Sequence, residues 1–261
     1  MTPRSHPFFE WGATHAFAHR GGASEAPENT MSAFANAIEM GYTYLETDVH
    51  STVDGVLLAF HDNDLARTCS QPGKISEMTY DEIRKVTIAG HEHIPTFDEL
   101  ITAWPHARWN IDCKSDDAMP SLIAALKRHD ILDRVCLGAF SDRRLRLLRS
   151  EFGPRLATSL GPKGVARLRL GVAAGRALHF PEGIYAAQVP AKQSVVSLSS
   201  ERFIEIAHAS GLHVHYWTID DESHMNELLD KGADGIMTDV PLSLRSVLQT
   251  RGSWRDSNFT K

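Results

Sequence analysis

Ala107-Arg108-Trp109-Asn110-Ile111-Asp112-Cys113 reads as a strand, and a helix over 117–129, a strand over 134–139, a helix over 141–151, a strand over 155–160 and a helix over 162–174 follow it. Short apolar segments alternating with longer ones of helical spacing mark strand–helix units whose strands run parallel. The rhythm continues downstream, with strands near 184–189, 212–218 and 234–238 and helices over 199–210, 221–231 and 241–249. Upstream, 15–19 and 43–49 are two more strands. Between them 29–40 fits an amphipathic helix with Met31, Phe34, Ala35 and Ile38 on one face, and a helix over 96–104 leads into Ala107. Strands centred near 16, 45, 109, 136, 157, 186, 215 and 236 predict an α/β chain closed into a (β/α)8 TIM barrel. A doubly wound open sheet is the competing architecture.

One region breaks the rhythm. Asp54-Gly55 is a strong turn signal, and Val56–Phe60 returns as a strand, so a hairpin delivers His61. Residues 62–95 then hold Pro72-Gly73, a short helix over 79–86 and the polar run His91-Glu92-His93, expected as an exposed loop. This stretch is expected to be a small insertion after strand 2, too short to bury its own core, inside a single catalytic domain spanning 1–261. Asn29 is expected to cap the first helix and Gly41 to end it, with Glu28 and Thr30 as scaffolding for the glycine turn. Thr238-Asp239 ahead of Pro241 suits the start of the last helix. Arg143, Arg144, Arg146 and Arg149 form a basic run whose default is a solvated face.

The chain has 261 residues, 42 % hydrophobic and 23 % charged, an ordinary composition that can bury a large core. A formal net charge of −6 excludes the broad basic surface that sequence-independent nucleic-acid binding needs, so any phosphate site is local. Cys69, Cys113 and Cys136 are scattered and odd in number, without a C-x-x-C pair, so neither a disulfide framework nor a cysteine zinc site is expected. There is no apolar run of the roughly 18 residues that a spanning helix needs. Nor does a basic start followed by an apolar stretch open the chain. A cytoplasmic protein without stable membrane insertion is the expectation, and oligomeric state is left open.

Polar residues gather at the C-terminal ends of the strands, where barrels of this type place their sites. Strand 1 ends in His19-Arg20. Glu46 and Asp48 stand two apart on the next strand, and so do Asp112 and Lys114 on the one after, so each pair points one way. Gln188, Trp217 and Thr238-Asp239 come from later strands. Glu46, Asp48 and Asp112 would repel if brought together unpaired, and one divalent cation resolves the repulsion. An all-oxygen set favours Mg²⁺ or Ca²⁺ over zinc. Arg20 and Lys114 suit phosphate oxygens. His19 and His61 suit general acid–base work: one removes a proton from the attacking hydroxyl or water, the other protonates the leaving alkoxide. Trp217 either stacks on a glycerol-like group or belongs to the core. A lone strand-end histidine is more often structural, and it is the combination that points to a metal-assisted phosphodiester-cleaving site.

His19-Arg20-Gly21, Pro27-Glu28-Asn29-Thr30, Glu46-Thr47-Asp48-Val49, Phe60-His61-Asp62 and the late Trp217-Thr218 together resemble the glycerophosphodiester phosphodiesterases, over about residues 15 to 248. The resemblance implies a (β/α)8 barrel with a small insertion after strand 2. It also implies hydrolysis of a small-molecule glycerophosphodiester to glycerol 3-phosphate and an alcohol, usually with Mg²⁺ or Ca²⁺. By position, His19 and His61 would be the acid–base pair, Glu46 and Asp48 metal ligands, and Arg20 and Lys114 phosphate contacts. The family's third ligand is usually glutamate in a Glu-x-Lys pattern, where this chain has Asp112-Cys113-Lys114. One methylene shorter, Asp112 either draws the ion toward its own strand, reaches it through water or holds it less tightly. Two alternatives stay open. One is a phospholipase D-like lipid phosphodiesterase that forms a cyclic phosphate; the other is an inactive barrel that binds a phosphorylated metabolite.

Overall fold

The alternation closes on itself. The computed structural model describes residues 2–11, 14–193 and 196–257. Its main sheet contains β1 (His15–Ala18), β2 (Tyr44–Ser51), β3 (Leu57–Ala59), β4 (Arg108–Cys113), β5 (Val135–Gly138), β6 (Ala157–Ser159), β7 (Ile184–Val189), β8 (His213–Tyr216) and β9 (Gly235–Thr238). All but β3 run parallel in one ring. Phe17 of β1 lies opposite Met237 of β9 on one side and Tyr44 of β2 on the other, which shuts the barrel. The open doubly wound sheet is thereby excluded. β3 is antiparallel to the far end of β2, Val49 opposite Ala59. The helices of the outer layer are α1 (Met31–Glu39), α2 (Phe97–Ala103), α3 (Ala118–His129), α4 (Asp142–Phe152), α5 (Pro162–Ala174), α6 (Glu201–Ala209), α7 (Glu222–Asp230) and α8 (Pro241–Thr250).

Local competition moved several expected boundaries. Thr30, not Asn29, caps α1, its Oγ1 accepting the Ala33 N–H at 3.2 Å. Asn29 is held in the left-handed region (φ 55°) by tertiary bonds instead, donating from Nδ2 to Asp48 and accepting from Thr47 Oγ1. Asp239 does not cap α8: Val240 holds that position without a side-chain bond, because the Asp239 carboxylate is turned toward His19. Glu92–His93 is not loop but pairs antiparallel with Thr87–Ile88. Residues 62–95 also bury a small apolar cluster, in which Leu65, Ile75, Ile83, Val86, Ile88 and Ile94 pack with Leu58 and Phe60 of the hairpin.

Strand parity sorts the barrel's inside from its outside. Leu45, Trp109, Ile111, Leu137 and Val214 face the helices. Phe17, Tyr44, Cys136, Ala157, Ala186 and Met237 point the other way and fill the lumen. Phe8 and Phe9, from a short turn of 3₁₀ helix (Pro7–Phe9), pack with them, and Tyr44 donates to the Phe8 carbonyl at 2.7 Å. At roughly 2–3 kcal/mol per buried phenylalanine, this N-terminal plug is a substantial part of the core.

Above the plug, a chain of polar groups is satisfied only while its imidazoles are neutral. Gln188 Nε2 donates to His215 Nδ1 at 3.2 Å, His215 Nε2 lies 3.1 Å from His15 Nδ1, and His15 Nε2 donates to the Phe9 carbonyl at 3.1 Å. Protonating either ring removes an acceptor. Burial, with His213 adding repulsion, brings the pKa of His15 down to about 4, and burial also lowers that of fully enclosed His215. Both folded values lie below the unfolded imidazole's 6.5, so below that pH the unfolded chain binds more protons and stability falls. Urea unfolding is therefore expected to show roughly 1.5 kcal/mol lost from His15 alone between pH 6.5 and 5, and more from the pair. Unchanged stability across that interval would contradict this.

The turn that ends β1 is equally constrained. Arg20 (φ 52°), Gly21 (φ 86°) and Gly22 (φ 95°) are all left-handed. A Cβ on Gly21 would sit 2.9 Å from the Ala33 backbone at the start of α1. Gly21→Ala is expected to cost at least about 2 kcal/mol, from the unfavourable φ and the overlap together, read as a lowered urea midpoint.

Candidate active site

All nine residues singled out from the sequence line one cavity of about 570 Å³ at the C-terminal mouth of the barrel: His19, Arg20, Glu46, Asp48, His61, Asp112, Lys114, Gln188 and Trp217. The inward parity of β2, β4, β7 and β8 brings most of them there. The left-handed turn after β1 and the hairpin end after β3 supply the rest.

The acidic wall is built by register. Asp48 of β2 lies opposite Asp112 of β4, with Glu46 opposite Asn110. Glu46 and Asp48 are 4 % and 1 % exposed, so their charges need partners. Asp48 has them: Lys114 Nζ at 2.8 Å, Arg20 Nε at 3.2 Å and the Asn29 amide at 3.2 Å. Burial pushes its pKa up, but Lys114 and Arg20 outweigh it and the net shift is downward. Glu46 accepts the Arg20 backbone N–H at 3.1 Å and lies 3.8 Å from His19 Nε2, with no cationic side chain in hydrogen-bond contact. Burial, then the nearby Asp48 charge, push its carboxyl up to about 7. Lys114 also binds Asp112 Oδ2 at 2.7 Å, and the two carboxylates hold its pKa above the ordinary lysine range against burial.

Two features of this wall suit a divalent cation. Asp112 Oδ1 is buried with no hydrogen-bond partner, and Glu46 carries an uncompensated tendency to hold its proton. Among the described residues no three acidic, histidine or cysteine side chains already converge as a ready-made metal cluster, and the Lys114 ammonium bridges Asp48 and Asp112. The donor chemistry therefore fits an oxygen-liganded ion, while Lys114 has to yield part of its contact to admit one.

Both histidines are oriented alike. His19 Nδ1 lies 2.7 Å from Asp239 Oδ1, and His61 Nδ1 lies 2.6 Å from Asp62 Oδ1. A carboxylate only accepts, so each Nδ1 carries its proton and each Nε2 is left for chemistry in the cavity. Burial disfavours the charged form of His19, but Glu46 and Asp239 outweigh it and raise its pKa. His50 fixes the other ring's backbone, its Nε2 3.1 Å from the His61 carbonyl.

An ion-pair chain joins the two sides of the mouth. Arg20 Nη1 donates to Glu28 at 3.0 Å, Arg67 clamps both Glu28 oxygens at 2.7 Å, and Arg67 Nε reaches Asp62 at 2.6 Å. Burial works against the Glu28 charge, but Arg67 and Arg20 pull its pKa below the usual range. Asp62 is likewise drawn down, against burial, by Arg67 and His61 to about 2. Gln188 faces the cavity, yet its amide nitrogen is committed to Asn110 at 2.7 Å and to His215. Trp217 stands half-buried at the rim, edge-on to Phe140 at 5.9 Å between ring centroids. The sequence reading assigned Asp239 to the start of the last helix and gave Asp62 and Arg67 no role at the site. Asp239 carried a signal, since it ends a strand at the same rim, whereas nothing near Arg67 sets it apart.

The family described as glycerophosphoryl diester phosphodiesterase matches residues 19–243. A Mycobacterium tuberculosis protein named "Probable glycerophosphodiester phosphodiesterase 2" is 36 % identical over 251 residues, covering 95 % of each chain. A glycerophosphodiester phosphodiesterase of Caldanaerobacter subterraneus is 28 % identical, over 92 % of this chain and 99 % of that one. Among solved structures, an Oleispira antarctica phosphodiesterase in complex with the product sn-glycerol-3-phosphate aligns with a TM-score of 0.73 at 23 % identity, covering 91 % of this chain and 97 % of that one. The length of the match, together with a mouth lined from four of the five motifs behind the likeness, places the chain in the glycerophosphodiester phosphodiesterase family of phosphoric diester hydrolases.

Proposed function

We propose that this protein hydrolyses glycerophosphodiesters to glycerol 3-phosphate and an alcohol, with His19 and His61 as the acid–base pair and one divalent cation, Mg²⁺ or Ca²⁺, held by Glu46, Asp48 and Asp112. The observation that carries the reading is the matched pair of His–Asp dyads, whose imidazoles line the same cavity as the buried acids. The Oleispira antarctica relative, bound to sn-glycerol-3-phosphate, supports the product class.

Arg20 and Lys114 contact the phosphoryl oxygens, Arg20 with a directional fork and Lys114 as a mobile charge once its hold on Asp112 loosens. A bound cation supplies Lewis-acid stabilisation of the charge that builds on those oxygens. One imidazole takes the proton of the attacking water on its bare Nε2, and the other, entering as the imidazolium, gives its Nε2 proton to the departing alkoxide. Asp239 and Asp62 keep the rings in the required tautomer. Trp217 walls the substrate on the apolar side, and Gln188 offers its carbonyl oxygen. Residues 1–261 act as one catalytic domain, and 62–95 is the excursion that brings Arg67 to the mouth. Cys69, Cys113 and Cys136 are all free, which suits a reducing cytoplasm. No helix among the described residues is long and apolar enough to cross a membrane.

Phosphorus NMR of a glycerophosphodiester mixture is expected to show glycerol 3-phosphate accumulating, with release abolished by a chelator and restored by Mg²⁺ or Ca²⁺. A cyclic phosphate in its place, or release that survives chelation, would overturn the reaction or its metal dependence respectively. His61→Ala is expected to lower kcat by about a hundredfold or more with KM little changed. A kcat near that of the parent would remove His61 from the proton transfers.

A further inference from the structure

Eight ionisable side chains line the cavity, and seven of them hold partners described above. The eighth, Arg169, makes no hydrogen bond and no ion pair among the described residues. It belongs to α5, whose Pro162, Val165, Ala166 and Arg169 all line the cavity. Their spacing of three, one and three is that of a single helix face, so one side of α5 forms a wall of the site. The wall is apolar apart from its guanidinium.

Its location follows from the ring order. β6 stands four strands from β1 whichever way the barrel is traced, so α5, which follows β6, lies across the mouth from His19 and Arg20. Phe140 and Trp217 extend the apolar surface beside it. The acids that line the cavity, Glu46, Asp48 and Asp112, all come from β2 and β4. A substituent directed from the acidic wall toward α5 meets a cation with low-dielectric walls and no neutralising carboxylate among the described residues. Such surroundings strengthen attraction for an anion and repulsion of an ammonium.

We propose that Arg169 is a specificity-determining residue, selecting glycerophosphodiesters whose leaving alcohol carries an anionic group, a carboxylate or a phosphate, over those that carry an ammonium. The inference rests on the hydrolase reading above. Arg169 touches the departing substituent and takes no part in the proton transfers.

The test compares kcat/KM on four esters of sn-glycerol 3-phosphate with the metal-loaded enzyme. Their leaving alcohols are choline, glycerol, 3-hydroxypropionate, and a glycerol bearing a second glycerophosphate. The parent enzyme is expected to favour at least one anionic ester over the choline ester by about tenfold or more, the scale of one hydrogen bond to a charged group. The carboxylate and phosphate arms show which anion is preferred. Arg169→Ala is expected to remove about that factor from the anionic esters, mainly through KM, and to raise kcat/KM on the choline ester as the repulsion of its ammonium is lost. Arg169→Lys should retain part of the preference, and Arg169→Glu should reverse it. A uniform loss on all four esters, no change in any, or a parent enzyme that favours choline would overturn the proposal. No turnover of any of the four by the parent would instead overturn the hydrolase reading, and this inference with it.

Discussion

A carboxylate taken out of water must be matched by positive charge, and that requirement shapes the mouth of this barrel. Asp48 is 1 % exposed and stands opposite Asp112 in the parallel register of β2 and β4. Lys114 follows Asp112 by two residues, which returns its side chain to the same face and between the two acids. Arg20 reaches Asp48 from the neighbouring strand end, and to do so its backbone takes up a left-handed conformation beside Gly21 and Gly22. Glu46 is the acid this arrangement leaves short of positive charge. Its upward pKa and the orphaned Asp112 oxygen are two signs of one shortfall on the acidic wall.

The same inward parity carries opposite chemistry at the two ends of the lumen. At the floor it presents Phe17, Tyr44 and Met237, stoppered by Phe8 and Phe9, and imidazoles kept neutral by burial. At the mouth it presents ionised groups in a branching network. Gln188 and Asn110 join the levels, since the amide that braces Asn110 beneath the acids also donates to His215 below. The mouth thus rests on a layer in which Gln188, His215 and His15 are linked through neutral imidazoles.

How much of this was legible in the residues depended on the range of the forces involved. Strand positions and the inward face of β2 and β4 follow from period-two spacing, which is local, and both survived in the folded molecule. Capping assignments failed where a tertiary partner outbid the local one. Asn29 left the helix start to brace Asp48, and Asp239 left it to hold His19, while Thr30 and Val240 took the cap positions. The N-terminal plug went unread because Phe8-Phe9 is too short a signal to show any period. Arg67 was invisible for another reason: its role depends on how the 62–95 excursion folds back over the rim, and no spacing rule encodes that.

Because Arg67 grips Glu28 with two nitrogens and Asp62 with a third, the excursion is tethered by charge to the loop ahead of α1 and to its own start beside His61. Loop grafting between relatives usually treats such a segment as interchangeable decoration. Here a transplanted segment lacking an equivalent guanidinium would leave Glu28 with Arg20 as its one cationic partner among the described residues. The excursion is thus a keystone, and what it bears, through Asp62, is the setting of the His61 ring.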